Sequence, residues 1–196
     1  MTLQQLIQLL KQAERPEQIE TYRTQITQLI PEVSIMFEYD QNNRYHQYDL
    51  WTHTLMTVCD LSNDLDDVVY LAALLHDIGK VESRCRGNRE NDRQSHYYGH
   101  PQVSARIVKQ QIIPRLLQRD GTMDDQMVHD LVWLVEHHDD ALPSECSRVK
   151  RIREKIGGRL FQMWMELQIA DARAHVILPK VLNRIVICEK WLAYTD

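Results

Sequence analysis

Seven side chains of metal-ligating type are spread along the sequence: His53, His76, Asp77, His100, His137, His138 and Asp171. His76 and Asp77 are adjacent and end the apolar stretch Val68-Val69-Tyr70-Leu71-Ala72-Ala73-Leu74-Leu75. Placing an imidazole and a carboxylate at the mouth of a buried helix is costly unless something compensates them. A divalent cation would do so, because both groups are among its natural ligands. Taken singly, each residue also has an ordinary explanation. His53 beside Trp51 suits a core histidine, His137-His138 suits the negative end of a helix dipole, Asp77 suits a solvated helix end, and Asp171 suits a pair with Arg173. The metal explanation gains from their number and from the faces they occupy.

The elements that must position these residues are helical. Leu3, Leu6, Ile7, Leu10 and Ala13 mark one face of a first helix, with Thr2 and Gln5 at capping-box spacing. Pro16 opens a second, with Ile19, Tyr22, Ile26 and Leu29 on its apolar side, and Pro31 stops it. Residues 33–47 lack a helical period and read as an extended connection. Helix resumes near Asp49 and carries His53. Asp66 caps the next helix, which is apolar nearly all round and therefore central, and Gly79 ends it as a C-terminal glycine.

Beyond that helix, residues 82–99 are polar and aperiodic, a length usually reserved for function. His100-Pro101 starts another helix, which Pro114 kinks or breaks, and Thr122 with Asp125 signals the helix that terminates at His137-His138. A basic helix from about residue 144 closes at Gly157-Gly158. The helix after it continues the stripe Leu160, Trp164, Leu167 and Gln168 to Asp171, which directs that carboxylate inward. A last helix covers roughly 178–192. The fold class is all-α, and helical bundles build metal sites from side chains on several inward faces.

Composition sets further bounds. The chain has 196 residues and a net charge of −5, so its surface as a whole does not favour nucleic acid. Four scattered cysteines without a Cys-x-x-Cys pattern fit reduced thiols better than a disulfide framework or a zinc finger. The N-terminus has no basic head followed by an apolar run, and the longest apolar run is too short for a bilayer. The expectation is a cytoplasmic protein with no membrane partner.

In this order, His53, His76-Asp77, His100, His137/His138 and Asp171 resemble the HD superfamily of metal-dependent phosphohydrolases. Three phrases carry a closer likeness to the HD domain of bacterial CCA-adding tRNA nucleotidyltransferases. They are Tyr45-His46-Gln47-Tyr48-Asp49-Leu50-Trp51-Thr52-His53, His76-Asp77-Ile78-Gly79-Lys80 followed by His96-Tyr97-Tyr98-Gly99-His100, and Ile169-Ala170-Asp171-Ala172-Arg173-Ala174. Nothing in the chain resembles a nucleotidyltransferase domain, and Val81 stands where that subgroup commonly has proline. CCA addition is therefore not expected.

The resemblance implies an HD-domain helical bundle over 45–196 with an N-terminal helical extension over 1–44, whose two helices pack on the bundle or mediate self-association into a homo-oligomer. It implies one or two divalent ions (Mn, Fe, Co, Ni or Mg). His53, His76, Asp77 and Asp171 would hold the first, His100 with His137 and His138 the second, and Asp77 would bridge both. Since neighbouring helical residues point about a hundred degrees apart, His137 and His138 can share a site only if the helix ends there.

The expected reaction is attack of a metal-activated hydroxide on a phosphomonoester or phosphodiester, with nucleotides or 2′,3′-cyclic nucleotide phosphates as substrates and RNA ends as a further option. Asp77 and Lys80 are the catalytic candidates; Lys80 would meet a phosphate oxygen or pair with Asp77. Lys80, Arg84, Arg89 and Arg93 form a basic stretch for substrate binding, with Tyr97 or Tyr98 available to stack on a base. The competing reading is a non-catalytic metal- or nucleotide-binding module in signalling or RNA binding.

Overall fold

The computed structural model describes residues 1–87, 93–120, 123–143 and 145–193. Its helices in chain order are α1 (Leu3–Gln12), α2 (Pro16–Glu20), α3 (Arg23–Leu29), α4 (Leu50–Cys59), α5 (Asp67–Leu75), α6 (Lys80–Ser83), α7 (His100–Ile107), α8 (Ile113–Asp120), α9 (Asp125–His137), α10 (Cys146–Ile156), α11 (Gly158–Arg173) and α12 (Pro179–Leu192). The all-α class holds. Its one departure among the described residues is a two-residue antiparallel ladder, β1 (Cys85–Arg86) with β2 (Ser95–His96), inside the polar stretch read as irregular.

At the centre lies α5, whose residues 68–75 are at most 1 % exposed. Asp66 caps it by accepting from the Val68 N–H. Around it pack α1, α4, α9 and α11, and α12 lies along α11. The predicted capping box of α1 is present, Thr2 Oγ1 accepting from Gln5 N–H and Gln5 Oε1 accepting from Thr2 N–H. Leu3, Leu6, Ile7 and Leu10 belong to the same core as α4 and α5. Lys11 pairs with Asp67 at 2.7 Å, and Trp51 Nε1 donates to Glu20 at 2.6 Å. The apolar stripe that suggested self-association through the N-terminal helices is thus covered by the chain's own bundle.

Two local expectations are corrected. The helix predicted from Pro16 is split at Thr21–Tyr22, and Tyr22, placed on its apolar side from the sequence, is 41 % exposed. Part of the segment read as extended is a 3-10 turn, Pro31–Met36, that buries Val33 and Met36. The break expected at Pro114 is present, the α-helical repeat being interrupted just before it and resuming at Ile113. One wide turn, Val108–Ile112, joins α7 to α8 and accommodates the N–H that proline lacks. The start signal at Thr122 lies outside the described residues, and the N-cap of α9 is Asp124, accepting from Met127 N–H.

Gly79 does not act as a C-terminal glycine, because α5 already ends at His76 and the Gly79 backbone has ordinary right-handed angles. Its glycine serves close approach. An added Cβ would stand 2.5 Å from Ser104 N, and the Gly79 N–H donates to Ser104 Oγ at 2.9 Å. This contact seats α7 on the turn after α5. Gly99, at φ 72°, makes the left-handed turn that starts α7 at His100.

Candidate metal centre

Five helices deliver the cluster. His53 lies within α4, His76 caps α5, Asp77 follows it, His100 opens α7, His138 caps α9 and Asp171 lies near the end of α11. All six are buried. Two groups form, His53-His76-Asp77-Asp171 and Asp77-His100-His138, with ligand atoms within 4.8 Å of one another in each. Asp77 belongs to both. Its Oδ2 lies 3.3 Å from His53 Nε2 and 3.2 Å from His76 Nε2, while its Oδ1 lies 3.2 Å from His100 Nε2 and 3.5 Å from His138 Nε2.

Each of three imidazoles is fixed by its other nitrogen. His76 Nδ1–H donates to Ala73 O, His100 Nδ1–H to Tyr97 O and His138 Nδ1–H to Val135 O, each at 2.8 Å. In the neutral ring this leaves an Nε2 lone pair directed at the cluster, the arrangement that metal-ligating histidines adopt. Both oxygens of Asp77 and Nε2 of His76 are buried without an aligned hydrogen bond. Buried polar atoms of this kind are costly to leave unmet. Converging lone pairs that no aligned hydrogen bond satisfies are what a divalent cation would meet, so the buried His/Asp cluster fits a metal site.

Electrostatics of the bare protein agree. Burial opposes charge on Asp77, but His76 and Lys80 outweigh it and hold the carboxyl well below its ordinary range. Asp171 is likewise held low, against burial, by His175, His53 and His76. Burial disfavours the charged form of His76 too, yet Asp77 and Asp171 lift its pKa to about 10. A proton thus bridges donors that a cation would otherwise join. Burial lowers the pKa of His138 and keeps its lone pair available.

His137 stands outside both groups. The helix does end at this pair, but only His138 turns inward. The His137 ring packs on Trp133, with centroids 4.4 Å apart, and its Nδ1 lies 2.7 Å from Asp140 Oδ2. The shared second site expected for His137 is therefore corrected to His100 and His138 with Asp77. Lys80 is buried, pairs with Asp77 Oδ2 at 2.6 Å and also forms part of the wall of the cavity over the cluster.

Of the basic stretch, Lys80 lines the cavity over the cluster, whereas Arg84 and Arg93 are not among its walls. Arg84 donates from Nε to Ser95 Oγ at 2.9 Å and lies over the Tyr39 ring, bracing the small ladder. Arg93 is exposed and offers its carbonyl to Asn42. Arg89 lies outside the described residues. Tyr97 is buried, its hydroxyl donating to Gln41 O, whereas Tyr98 is 70 % exposed at the cavity wall and stacks on His96. Arg173 pairs with Asp60 and Glu189, not with Asp171.

The cavity, about 440 Å³, reaches Asp77, His100, His138 and Asp171, and its walls include His46, His175, Lys180 and Arg184, none of which the sequence singled out. His175 follows Asp171 by four residues, the helical spacing that would have placed it on the same side. No such signal exists for His46, which precedes α4 in irregular chain. Arg184 donates to Gln168, Asp139 and the carbonyl of His138, so it braces the end of α9. Burial pushes the pKa of His175 down to about 4, and burial with Lys80 nearby pushes that of His46 far below the ordinary imidazole range.

A helical bundle that gathers buried histidines and aspartates from five helices around a shared carboxylate fits a metal-binding protein. The family model of the HD domain matches residues 50–173. The chain belongs to the HD-domain family, whose members are generally metal-dependent hydrolases. No curated protein matches the chain. Among the described residues, no helix is long and apolar enough to cross a membrane.

Proposed function

We propose that the protein is a phosphohydrolase acting on phosphomonoesters or phosphodiesters of nucleotide type, 2′,3′-cyclic nucleotide phosphates included. The observation that carries this reading is Asp77, whose two oxygens face two separate sets of imidazole lone pairs and accept no aligned hydrogen bond. Divalent ions held by His53, His76, Asp77 and Asp171, and by Asp77, His100 and His138, would acidify a water and draw charge from the phosphoryl oxygens.

The remaining parts are played by the chain itself. Lys80 keeps Asp77 ionised, since its ammonium is fixed against that carboxylate. Backbone carbonyls at Ala73, Tyr97 and Val135 hold three rings in one tautomer, and Arg184 secures the chain around His138. The cavity of about 440 Å³ falls within the roughly 300–1,000 Å³ common for small-molecule sites. Tyr98 offers an exposed ring for a base, and Lys180 lies at the wall as a cation for an anionic substrate. The likeness of the Tyr45–His53 phrase to the HD domain of CCA-adding enzymes favours nucleotide-type substrates, with an RNA terminus as a larger version.

The test is hydrolysis of an aryl phosphate, a bis-aryl phosphate, nucleoside monophosphates and 2′,3′-cyclic nucleotides by protein loaded with Mn, Fe, Co, Ni or Mg. Metal-dependent turnover that favours nucleotides over sugar phosphates is expected. Equal turnover of sugar phosphates would remove the nucleotide assignment, and no turnover with any metal would remove the phosphohydrolase reading.

A further inference from the structure

His46, His53 and His175 form a third histidine group, their nitrogens within 4.8 Å of one another. Spacing alone would suit one more cation, but the hydrogen bonding of His46 points elsewhere. Lys80 Nζ lies 2.6 Å from Asp77 Oδ2, donates to Gln41 Oε1 at 3.0 Å and stands 3.3 Å from His46 Nε2. An ammonium carries three protons and no lone pair, so His46 Nε2 can only accept from it. The proton of the neutral ring then sits on Nδ1.

That nitrogen is buried and has no hydrogen-bond partner. A buried donor left unmet costs about 1–3 kcal/mol. His46 is also one of the residues that line the cavity reaching Asp77 and Asp171. A cation among these rings would need a lone pair from each. His53 Nε2 already faces Asp171 Oδ1 at 3.1 Å, and His46 can free Nδ1 only by turning an N–H toward Lys80. The group therefore presents a donor where a metal would need an acceptor.

Building on the phosphohydrolase reading, we infer that His46 is a substrate-binding residue whose Nδ1–H donates to an oxygen of the bound phosphate ester, and that Lys80 holds it in the donating tautomer. The ligand class is an anionic oxygen acceptor beside the metal cluster. Lys80, itself part of the cavity wall, thereby links the ionised Asp77 to substrate recognition.

Three variants separate the two ends of the ring. In His46→Asn the amide lies near the Nδ1 position, in His46→Gln near the Nε2 position, and His46→Phe supplies neither. Each is compared with the parent in metal content, in aryl phosphate kinetics and in affinity of the metal-loaded protein for inorganic phosphate. We expect His46→Asn to stay within about 3-fold of the parent, while His46→Gln and His46→Phe weaken phosphate binding and raise KM by about 10-fold, in line with one lost hydrogen bond to a charged group, at unchanged metal content. Long-range 1H–15N spectra of the imidazoles in the Mg-loaded parent should show His46 protonated at Nδ1.

His46→Gln binding phosphate as well as the parent, protonation at Nε2, or a further metal equivalent lost in His46→Phe would each overturn the inference. A parent that neither hydrolyses esters nor binds phosphate overturns the phosphohydrolase reading and this inference together. A parent that binds phosphate with an affinity indifferent to His46→Gln overturns this inference alone.

Discussion

The cluster around Asp77 and the cavity wall beside Lys80 are built from the same residue type to opposite effect. In the cluster, His76, His100 and His138 tie Nδ1 to backbone carbonyls and direct their Nε2 atoms at Asp77. Beside Lys80, His46 meets an ammonium at Nε2 and keeps a proton on Nδ1. Histidines a few ångströms apart are not thereby a metal site. The partner of the second nitrogen decides whether a ring offers a lone pair or a proton.

The hardest test of this contrast is Asp77→Asn. The amide keeps the shape but loses the charge shared by both ligand groups, and it leaves the buried Lys80 without its anion. Metal analysis should show both equivalents lost, and turnover should fall by on the order of 10³-fold, the scale of removing a main electrostatic element. Full metal content in that variant would contradict the bridging role.

A narrower change is His100→Ala, which removes one lone pair from the Asp77-His100-His138 group alone. One metal equivalent should be lost and the other retained, with turnover reduced by roughly 10²-fold. Loss of both would mean that the two groups are a single site.

Protonation offers a subtler probe. In the metal-free protein His76 has its pKa raised to about 10 from an ordinary value near 6.5. Its stabilising contribution is thus complete below about pH 6.5 and fades as pH rises toward 10, because the unfolded chain loses the proton first. Metal must displace that proton. Titration calorimetry at pH 7.5 in buffers of different ionisation enthalpy should show about one proton released as the first site fills, and affinity should rise with pH over the same window. Zero release would place a neutral His76 in the metal-free state.

The smallest effect belongs to His137→Ala. Its ring packs on Trp133 and faces Asp140, so metal content should be unchanged and kcat/KM should shift less than about 2-fold. A lost metal equivalent would return His137 to the cluster.

Much of this architecture is legible along the chain because the forces involved are local. Apolar residues at helical spacing marked α1, α4, α9 and α11, and the caps at Thr2, Asp49 and Asp66 follow from hydrogen bonds closed within two or three residues. His76 and Asp77 stood out because polar groups interrupt an apolar run, and Asp171 because it continues a stripe. His137 and His138 could not be told apart, since which of two neighbours turns inward depends on where the helix stops and what packs beside it.

Recognition of the substrate was the least legible part. The arginines at 84 and 93 drew attention because they are close in sequence, yet charge density along a chain does not say which cations face a cavity. Lys180 and Arg184 reach it from α12, about a hundred residues further on, because α12 packs on α11 beside Asp171.

The sequence by itself determined an all-helical chain whose inward faces carry imidazoles and carboxylates, because periodicity and burial cost are properties of neighbouring residues. Only the tertiary structure decided that Asp77 faces two sets of lone pairs, that His137 turns away, and that Lys80 sets the tautomer of His46. Those outcomes depend on distances between side chains from different helices, and such distances exist only once the bundle has packed.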